Sequence, residues 1–347
     1  MTVTIYGAGA IGGVIGAHMA RAGEDVLLVD KVTQHVEAMN AHGLRITGFN
    51  TFTARVRACT PEALRDRLDL VFLAVKSQDT DAAIDVLAPL IGPNTTIVSL
   101  QNGMNPPHIA ARVGAQHVVG GFVSYPADWQ APGHVEQGGP GNVWIGELDS
   151  RITDRLQRIQ RLLAHAAGAH ITDNIAGYLW AKQIDCSLLF AQAVSDLTFS
   201  EVFGHPDYQP VLIALLGEGV TVALASGVRL QAFDVFDPMK MRPRNRAEEA
   251  EARAVLDRFA ERCRHHVKVR SGPWRDLAVR KRPTEVDHML GWLIAQGRAH
   301  RVSLPLNQRL LQQVKELERG ERSRGVHNLR ELEKLRETLY APAVGPR

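Results

Sequence analysis

Gly7, Gly9 and Gly12 stand in the order G-x-G-x-x-G within "TIYGAGAIGG", after a short apolar run and before a segment of helical spacing. Glycines so spaced serve a phosphate. The first permits a tight turn, the second lets the backbone approach a pyrophosphate, and the third lets the helix pack closely on the strand. Amides at the helix start then face the phosphates, aided by the helix dipole. Gly7, Ala8, Gly9, Ala10, Ile11 and Gly12 are therefore the expected cofactor-binding residues. Asp30 and Lys31 close the next apolar run. An acid at that point hydrogen-bonds the adenosine ribose diol and repels a 2′-phosphate, whereas a base accommodates one. Asp30 thus favours NAD and Lys31 favours NADP. Cys263, His265 and His266 invite a metal reading. Their i, i+2, i+3 spacing does not place all three on one helical face, so no metal site is expected.

The elements that position these groups follow from hydrophobic periodicity. Thr2–Tyr6 reads as a strand, Ala10–Ala22 as a helix (Ile11, Val14, Ile15, Met19), and Asp25–Val29 as a second strand. "TQHVEAMNAHG" is a helix stopped by Gly43. "LDLVFLAVK", "TTIVSLQNG" and "HVVGGFVSY" are apolar runs of the kind buried on both faces of a parallel sheet, and Asp81–Leu90 between the first two is helical. Lys76 and Asn102 fall at the carboxyl ends of two of these strands, where ligands of open α/β sheets bind. "QAPGHVEQGGPGNVWIGE" reads as loops around short strands. Beyond about residue 173 nearly every segment is long, apolar and helical. The expected organisation is a doubly wound α/β domain over residues 1–172 and an all-α domain over residues 173–340, with "APAVGPR" frayed at the end.

A chain of 347 residues suits two domains, and 45% hydrophobic with 22% charged residues is a globular composition. A net charge of +3 does not suggest nucleic-acid binding, and no uncharged stretch reaches the length of a membrane span. Cys59, Cys186 and Cys263 lie far apart and form no pairing or zinc spacing, which fits a reducing compartment. With a strand at the start in place of a leader-like segment, a soluble cytoplasmic protein is expected.

Further motifs in order along the chain complete a pattern: "AVKSQDT" with Lys76, "LQNGMN" with Asn102, "LWAKQ" with Lys182, and "RPTEVDHMLG" with Glu285 and Asp287 on a late helix. Together with "GAGAIGG" they resemble the ketopantoate reductase (2-dehydropantoate 2-reductase) family over nearly the whole chain. The resemblance implies an N-terminal Rossmann domain, a C-terminal helical bundle of the 6-phosphogluconate dehydrogenase C-terminal type, and an active site in the cleft between them. It implies reduction of a 2-keto acid to a 2-hydroxy acid, ketopantoate to pantoate in pantothenate biosynthesis, usually with NADPH. Negative charge builds on the carbonyl oxygen in such a reaction and needs a proton or a positive donor. The resemblance gives that role to Lys182, with Glu285 as its acidic partner, and places Lys76 and Asn102 near the nicotinamide and substrate. Lys31 falls where the family commonly carries a base, which tips the cofactor to NADP, with NAD as the alternative.

The chain also departs from the family. Where family members carry asparagines one and two turns beyond the lysine, this chain has Cys186 and Phe190. The pocket is therefore expected to be more apolar, with Ser200 and Ser271 as remaining polar substrate contacts. Asp276 lies one residue further from Glu285 than the family spacing, and Arg270, Arg275, Arg280, Lys281 and Arg282 could form a carboxylate-binding rim or a solvated surface. The expected substrate is ketopantoate or a more apolar 2-keto acid. A 3-hydroxy-acid or other secondary-alcohol dehydrogenase, or a non-catalytic dinucleotide sensor, are the alternatives. The long apolar helices could form a homodimer interface or internal core.

Overall fold

The computed structural model describes residues 2–340, so the segment "APAVGPR" lies outside the described residues. The chain divides into two compact units. The first runs to Leu179 and takes in His266–Lys268; the second comprises Trp180–His265 and the chain from Val269 on.

In the first unit the strands are β1 (Val3–Tyr6), β2 (Val26–Val29), β3 (Leu44–Gly48), β4 (Phe52–Ala54), β5 (Arg57–Cys59), β6 (Leu68–Leu73), β7 (Ile91–Ser99), β8 (Val118–Val123), β9 (Ala127–Ala131), β10 (His134–Gln137), β11 (Asn142–Glu147) and β12 (Gly168–Ile171). The helices of this half are α1 (Ala10–Arg21), α2 (Thr33–His42), α3 (Thr80–Leu87), α4 (Asn105–Val113) and α5 (Asp154–Leu163). Eight strands form the main sheet in the order β12-β11-β8-β7-β6-β1-β2-β5. Every neighbouring pair from β5 to β8 is parallel, whereas β11 runs antiparallel to β8. Ile5, Leu28, Phe72 and Val98 are fully buried along these strands, as expected where helices cover both faces. Strand order reverses beside β1, so the turns after β1, β6 and β7 form the rim at which such sheets bind ligands.

Helix α1 packs Val14, Ile15 and Met19 into this core. On its other side lies a small sheet of order β4-β3-β10-β9, in which β3 and β10 pair in parallel (Arg45 with His134). Phe52 meets the ring of His18 edge-on at 4.8 Å, and a side chain at Gly13 would meet Val135 at 3.0 Å, so the small sheet sits tightly on α1. Gly43, with φ of +78°, ends α2 as the sequence predicts.

The unit boundary falls within α6 (Ile175–Ala193). The second unit continues with α7 (Phe199–Phe203), α8 (Gln209–Ala225), α9 (Arg246–Arg264), α10 (Gly272–Arg275), α11 (Trp292–Ala299), α12 (Pro305–Glu318) and α13 (Val326–Leu339). Glu218 of α8 is buried. It accepts from the Leu306 and Asn307 amides at 2.9 and 3.0 Å, which anchors the N-terminus of α12. Ser187 of α6 donates to Asn307 at 2.8 Å, tying a third helix to the same point.

Glu285 is not on a helix. It lies in a bend, and only Asp287–Gly291 winds, as a π-turn leading into α11. Pro283 has no amide proton, the Thr284 amide donates to Glu318 at 2.8 Å, and the Val286 amide donates to Thr284 Oγ1 at 3.2 Å. Side chains thus take the first donors, and the Gly291 amide reaches back to the Val286 carbonyl across five residues.

Candidate active site

Within the first unit the glycine loop has distinct jobs for its three glycines. Gly7 has φ of +99°, and a Cβ there would lie 2.8 Å from the Val75 amide nitrogen. A Cβ on Gly12 would strike the Gly7 carbonyl oxygen and lie 2.9 Å from Ile5. Both positions are closed by packing. A Cβ on Gly9 meets nothing within 4 Å, so open space lies before the first turn of α1. The amides there have no helical partner, and no side chain caps them. This bare, open cradle fits a dinucleotide pyrophosphate. Ala8 is further held through its carbonyl, which accepts from His35 Nε2 at 3.0 Å while His35 Nδ1 accepts from the Gly133 amide at 2.8 Å. Tyr125 donates to the Ile11 carbonyl at 3.4 Å. Sequence reasoning missed both supports; His35 was visible only as a histidine one position from Val36 on the buried face of α2.

At the end of β2, Asp30 accepts from the Val32 amide at 2.9 Å, and the exposed Lys31 ammonium pairs with Asp79 at 2.7 Å. Tyr6, buried beside them, has its phenol pushed up to about 12 by burial and then by the carboxylates of Glu62, Asp30 and Asp79. The neighbourhood is therefore acidic, with Lys31 already matched. Lys76 and Asn102 stand on the adjoining turns after β6 and β7. Ser77 donates to the Asn102 carbonyl at 2.7 Å, and Asn105 donates to the same oxygen at 2.6 Å, which leaves the Asn102 side chain exposed. Gln101 donates to the Val75 carbonyl at 3.1 Å, completing the link between the two turns.

In the second unit Lys182 is 14% exposed and its Nζ lies 2.8 Å from Asp185 Oδ2, the i,i+3 position on α6. Burial alone would lower the lysine's pKa, but the fields of Asp185, Cys186 and Asp234 outweigh it and hold the group above its ordinary value. The Phe233 ring lies 5.9 Å from the ammonium. Gln183 donates to the Met289 carbonyl at 2.6 Å, and the Met289 amide donates to the Glu285 carbonyl at 3.1 Å. Helix α6 thus tethers the bend that carries the half-buried Glu285. Burial raises the Cys186 thiol well above its usual range; Lys182 opposes this, and Asp185 and Glu285 add to it. Lys182, Asp185, Cys186 and Glu285 therefore form one electrostatic cluster.

Other expected contacts are built into the fold. Cys186 and Phe190 are fully buried. Ser271 caps α10, accepting from the Trp274 amide at 3.1 Å and donating its own amide to Gln192 at 2.9 Å. Ser200 lies on α7, its hydroxyl 3.3 Å from that of Thr198. Of the basic segment, Arg280 and Arg282 pair with the buried Asp276 at 3.3 and 2.9 Å, and Arg270 stacks on Trp274. Among the described residues no group of three or more His, Cys, Asp or Glu could hold a metal ion, and no helix is long and apolar enough to cross a membrane.

Comparison with known proteins agrees in both units. Residues 3–150 match the family model described as ketopantoate reductase PanE/ApbA, and residues 174–318 match ketopantoate reductase PanE/ApbA C terminal. The 2-dehydropantoate 2-reductase of Archaeoglobus fulgidus is 29% identical over 92% of this chain and 98% of its own length. The ketopantoate reductase structure from Ralstonia eutropha JMP134 superposes with a TM-score of 0.77 at 28% identity, covering 92% of this chain and 99% of that one. The ternary structure of D-mandelate dehydrogenase with NADH and anilino(oxo)acetate shares the fold, with a TM-score of 0.80 at 21% identity over 92% of this chain and 99% of that one.

Proposed function

The chain belongs to the ketopantoate reductase family, and on that premise we propose that it reduces a 2-keto acid to the 2-hydroxy acid with Lys182 as proton donor. Membership makes it an NAD(P)-dependent oxidoreductase acting on a CH–OH group. The observation that carries the finer reading is the Lys182 cluster: a largely buried ammonium, kept charged, on the helix that tethers the Glu285 bend. A nicotinamide dinucleotide supplies the hydride when bound. Gly9 and the first-turn amides of α1 hold its pyrophosphate, and Asp30 meets its ribose. Lys182 stabilises the developing oxyanion and gives it a proton, while Glu285 orients the lysine or the substrate.

The substrate proposed is ketopantoate or a more apolar 2-keto acid. Cys186 and Phe190, buried at positions where the family carries asparagines, support the second by removing amide donors and acceptors. The cofactor has two supports of opposite sign. The family's habit of a base at Lys31 supports NADP. The pairing of Lys31 with Asp79, and the acidic surroundings of Tyr6, support NAD, since carboxylates outnumber ammonium groups where the ribose is read. On that charge balance NADH is the donor proposed, with NADPH as the alternative.

A substrate panel tests the reading. Ketopantoate and pyruvate-like, branched and aromatic 2-keto acids are assayed with NADH and NADPH on the wild type and Lys182→Ala. At least one 2-keto acid should drive cofactor oxidation, and the variant should lose about 10²–10⁴-fold in kcat. No turnover with any 2-keto acid sinks the proposed reaction; wild-type kcat in Lys182→Ala sinks the donor assignment.

A further inference from the structure

Asp185 is a carboxylate on α6, between Ile184 and Cys186, and is only 4% exposed. Burying such a charge is costly unless it is paired. Its Oδ2 accepts from Lys182 at 2.8 Å, and its Oδ1 has no hydrogen-bond partner among the described residues. It caps no helix. Arg262 of α9, which like Asp185 acts on Cys263, pairs with Asp234 at 2.9 Å. Among the described residues Lys182 is thus the only donor to Asp185.

We propose that Asp185 is a positioning residue, which fixes the Lys182 ammonium for the reaction through a carboxylate given over to that single contact. The inference rests on the reading of Lys182 as proton donor. The i,i+3 spacing puts the two side chains on one helical face. Cys186, at the next position, has no side-chain amide with which to share the work.

Around the pair, Cys186 comes from α6 itself, Asp234 and Phe233 from the segment after α8, and Cys263 from α9, where it senses Asp185; Glu285 acts on Cys186 from the bend before α11. Of these groups Asp185 is the one that hydrogen-bonds the ammonium.

The consequence concerns direction as well as rate. In reduction, one proton leaves Nζ for the carbonyl oxygen, and the amine regains a proton from solvent. While the amine is neutral, Asp185 is a buried carboxylate without a cation, so reprotonation is strongly favoured. In oxidation the lysine must begin neutral, and the same carboxylate opposes that. The pair therefore sets the alkaline limb of reduction and the rising, acid-side limb of oxidation.

The test compares Asp185→Asn with wild type on the fastest substrate of the panel and its hydroxy-acid product, recording kcat/KM against pH in each direction. Cofactor affinity is measured alongside by fluorescence titration and should not change. The alkaline limb of reduction and the rising limb of oxidation should both move to lower pH, by about 1–3 pH units. Limbs that stay in place while activity falls would reduce Asp185 to a structural role and overturn the proposal. Should Asp185→Asn not fold, Asp185→Glu decides: the limbs should hold while kcat drops, and wild-type kcat there overturns the proposal too. Lys182→Ala separates the two readings. If it retains turnover, the donor assignment fails. If it is inactive and the Asp185→Asn limbs do not move, only the positioning role fails.

Discussion

Gly9 and Gly12 should respond in opposite ways to the same added methyl group. At Gly9 the methyl enters open space, so the fold loses little: an alanine in place of glycine at a helix N-cap costs on the order of 1 kcal/mol. That space is where the pyrophosphate is proposed to rest. Displacing it by one charge-assisted hydrogen bond costs about 1.5–3 kcal/mol, which raises Kd for the dinucleotide by roughly 10–150-fold. At Gly12 the methyl meets the Gly7 carbonyl oxygen, Ile5 at 2.9 Å and Ala74 at 3.2 Å, all of them buried or held by backbone. Overpacking of that kind costs about 1–3 kcal/mol. At about 2–4 °C per kcal/mol for a unit of this size, Tm falls by about 2–12 °C. Thermal unfolding without cofactor and a fluorescence titration with reduced cofactor measure both effects on each variant. Wild-type affinity in Gly9→Ala would refute the assignment of the open cradle to the phosphates. An unchanged Tm in Gly12→Ala would refute the close approach of α1 to the sheet.

Two further outcomes are expected. Asp79→Asn releases Lys31 from an exposed pair worth about 0–1 kcal/mol, so the NADPH-to-NADH affinity ratio should rise by up to about fivefold; a fall in that ratio contradicts the electrostatic account of cofactor choice. Glu218→Gln sets an NH₂ group against buried amides at the start of α12 and should cost about 1–3 kcal/mol in urea unfolding. Burial raises the Glu218 carboxyl above its usual value, against the pull of the Asn307 and Leu306 amides. A folded-state value above the unfolded one contributes stability below the unfolded value and loses it as pH rises through the folded value. The deficit of Glu218→Gln should therefore be wider at acid pH than at neutral pH, and a deficit that narrows on acidification would show the sign to be wrong.

The strand–glycine turn–helix at the start could be read from sequence because its signal is local: three glycines, a strand and a helix within a few turns of chain. The buried runs of β1, β6 and β7 were equally plain, since each is apolar at successive positions. The small sheet was not. Leu44–Gly48 alternates too briefly to stand alone, and its partner strand at His134–Gln137 lies in a stretch rich in glycine and proline. The helical spacing of "TEVDHMLGWL" points to a helix through Glu285, whereas Thr284 and Glu318 claim the donors that a helix would need. Asp185 is hard to single out in the sequence for a related reason. Its i,i+3 relation to Lys182 is plain in "KQID", but only burial turns an ordinary helix pair into a committed one.

The pairing of β3 with β10 bears on the order in which the molecule becomes competent. Arg45 and His134 are brought into register across a long loop of chain, and parallel pairing over such distances closes slowly. Gly133, one residue before β10, donates to His35, which in turn holds the Ala8 carbonyl. Helix α1 can form early from its own residues, yet the loop in front of it is clamped only when that distant strand has docked. On refolding, dinucleotide capture should lag the recovery of helical signal, which makes the cofactor a reporter of a long-range contact in its own domain.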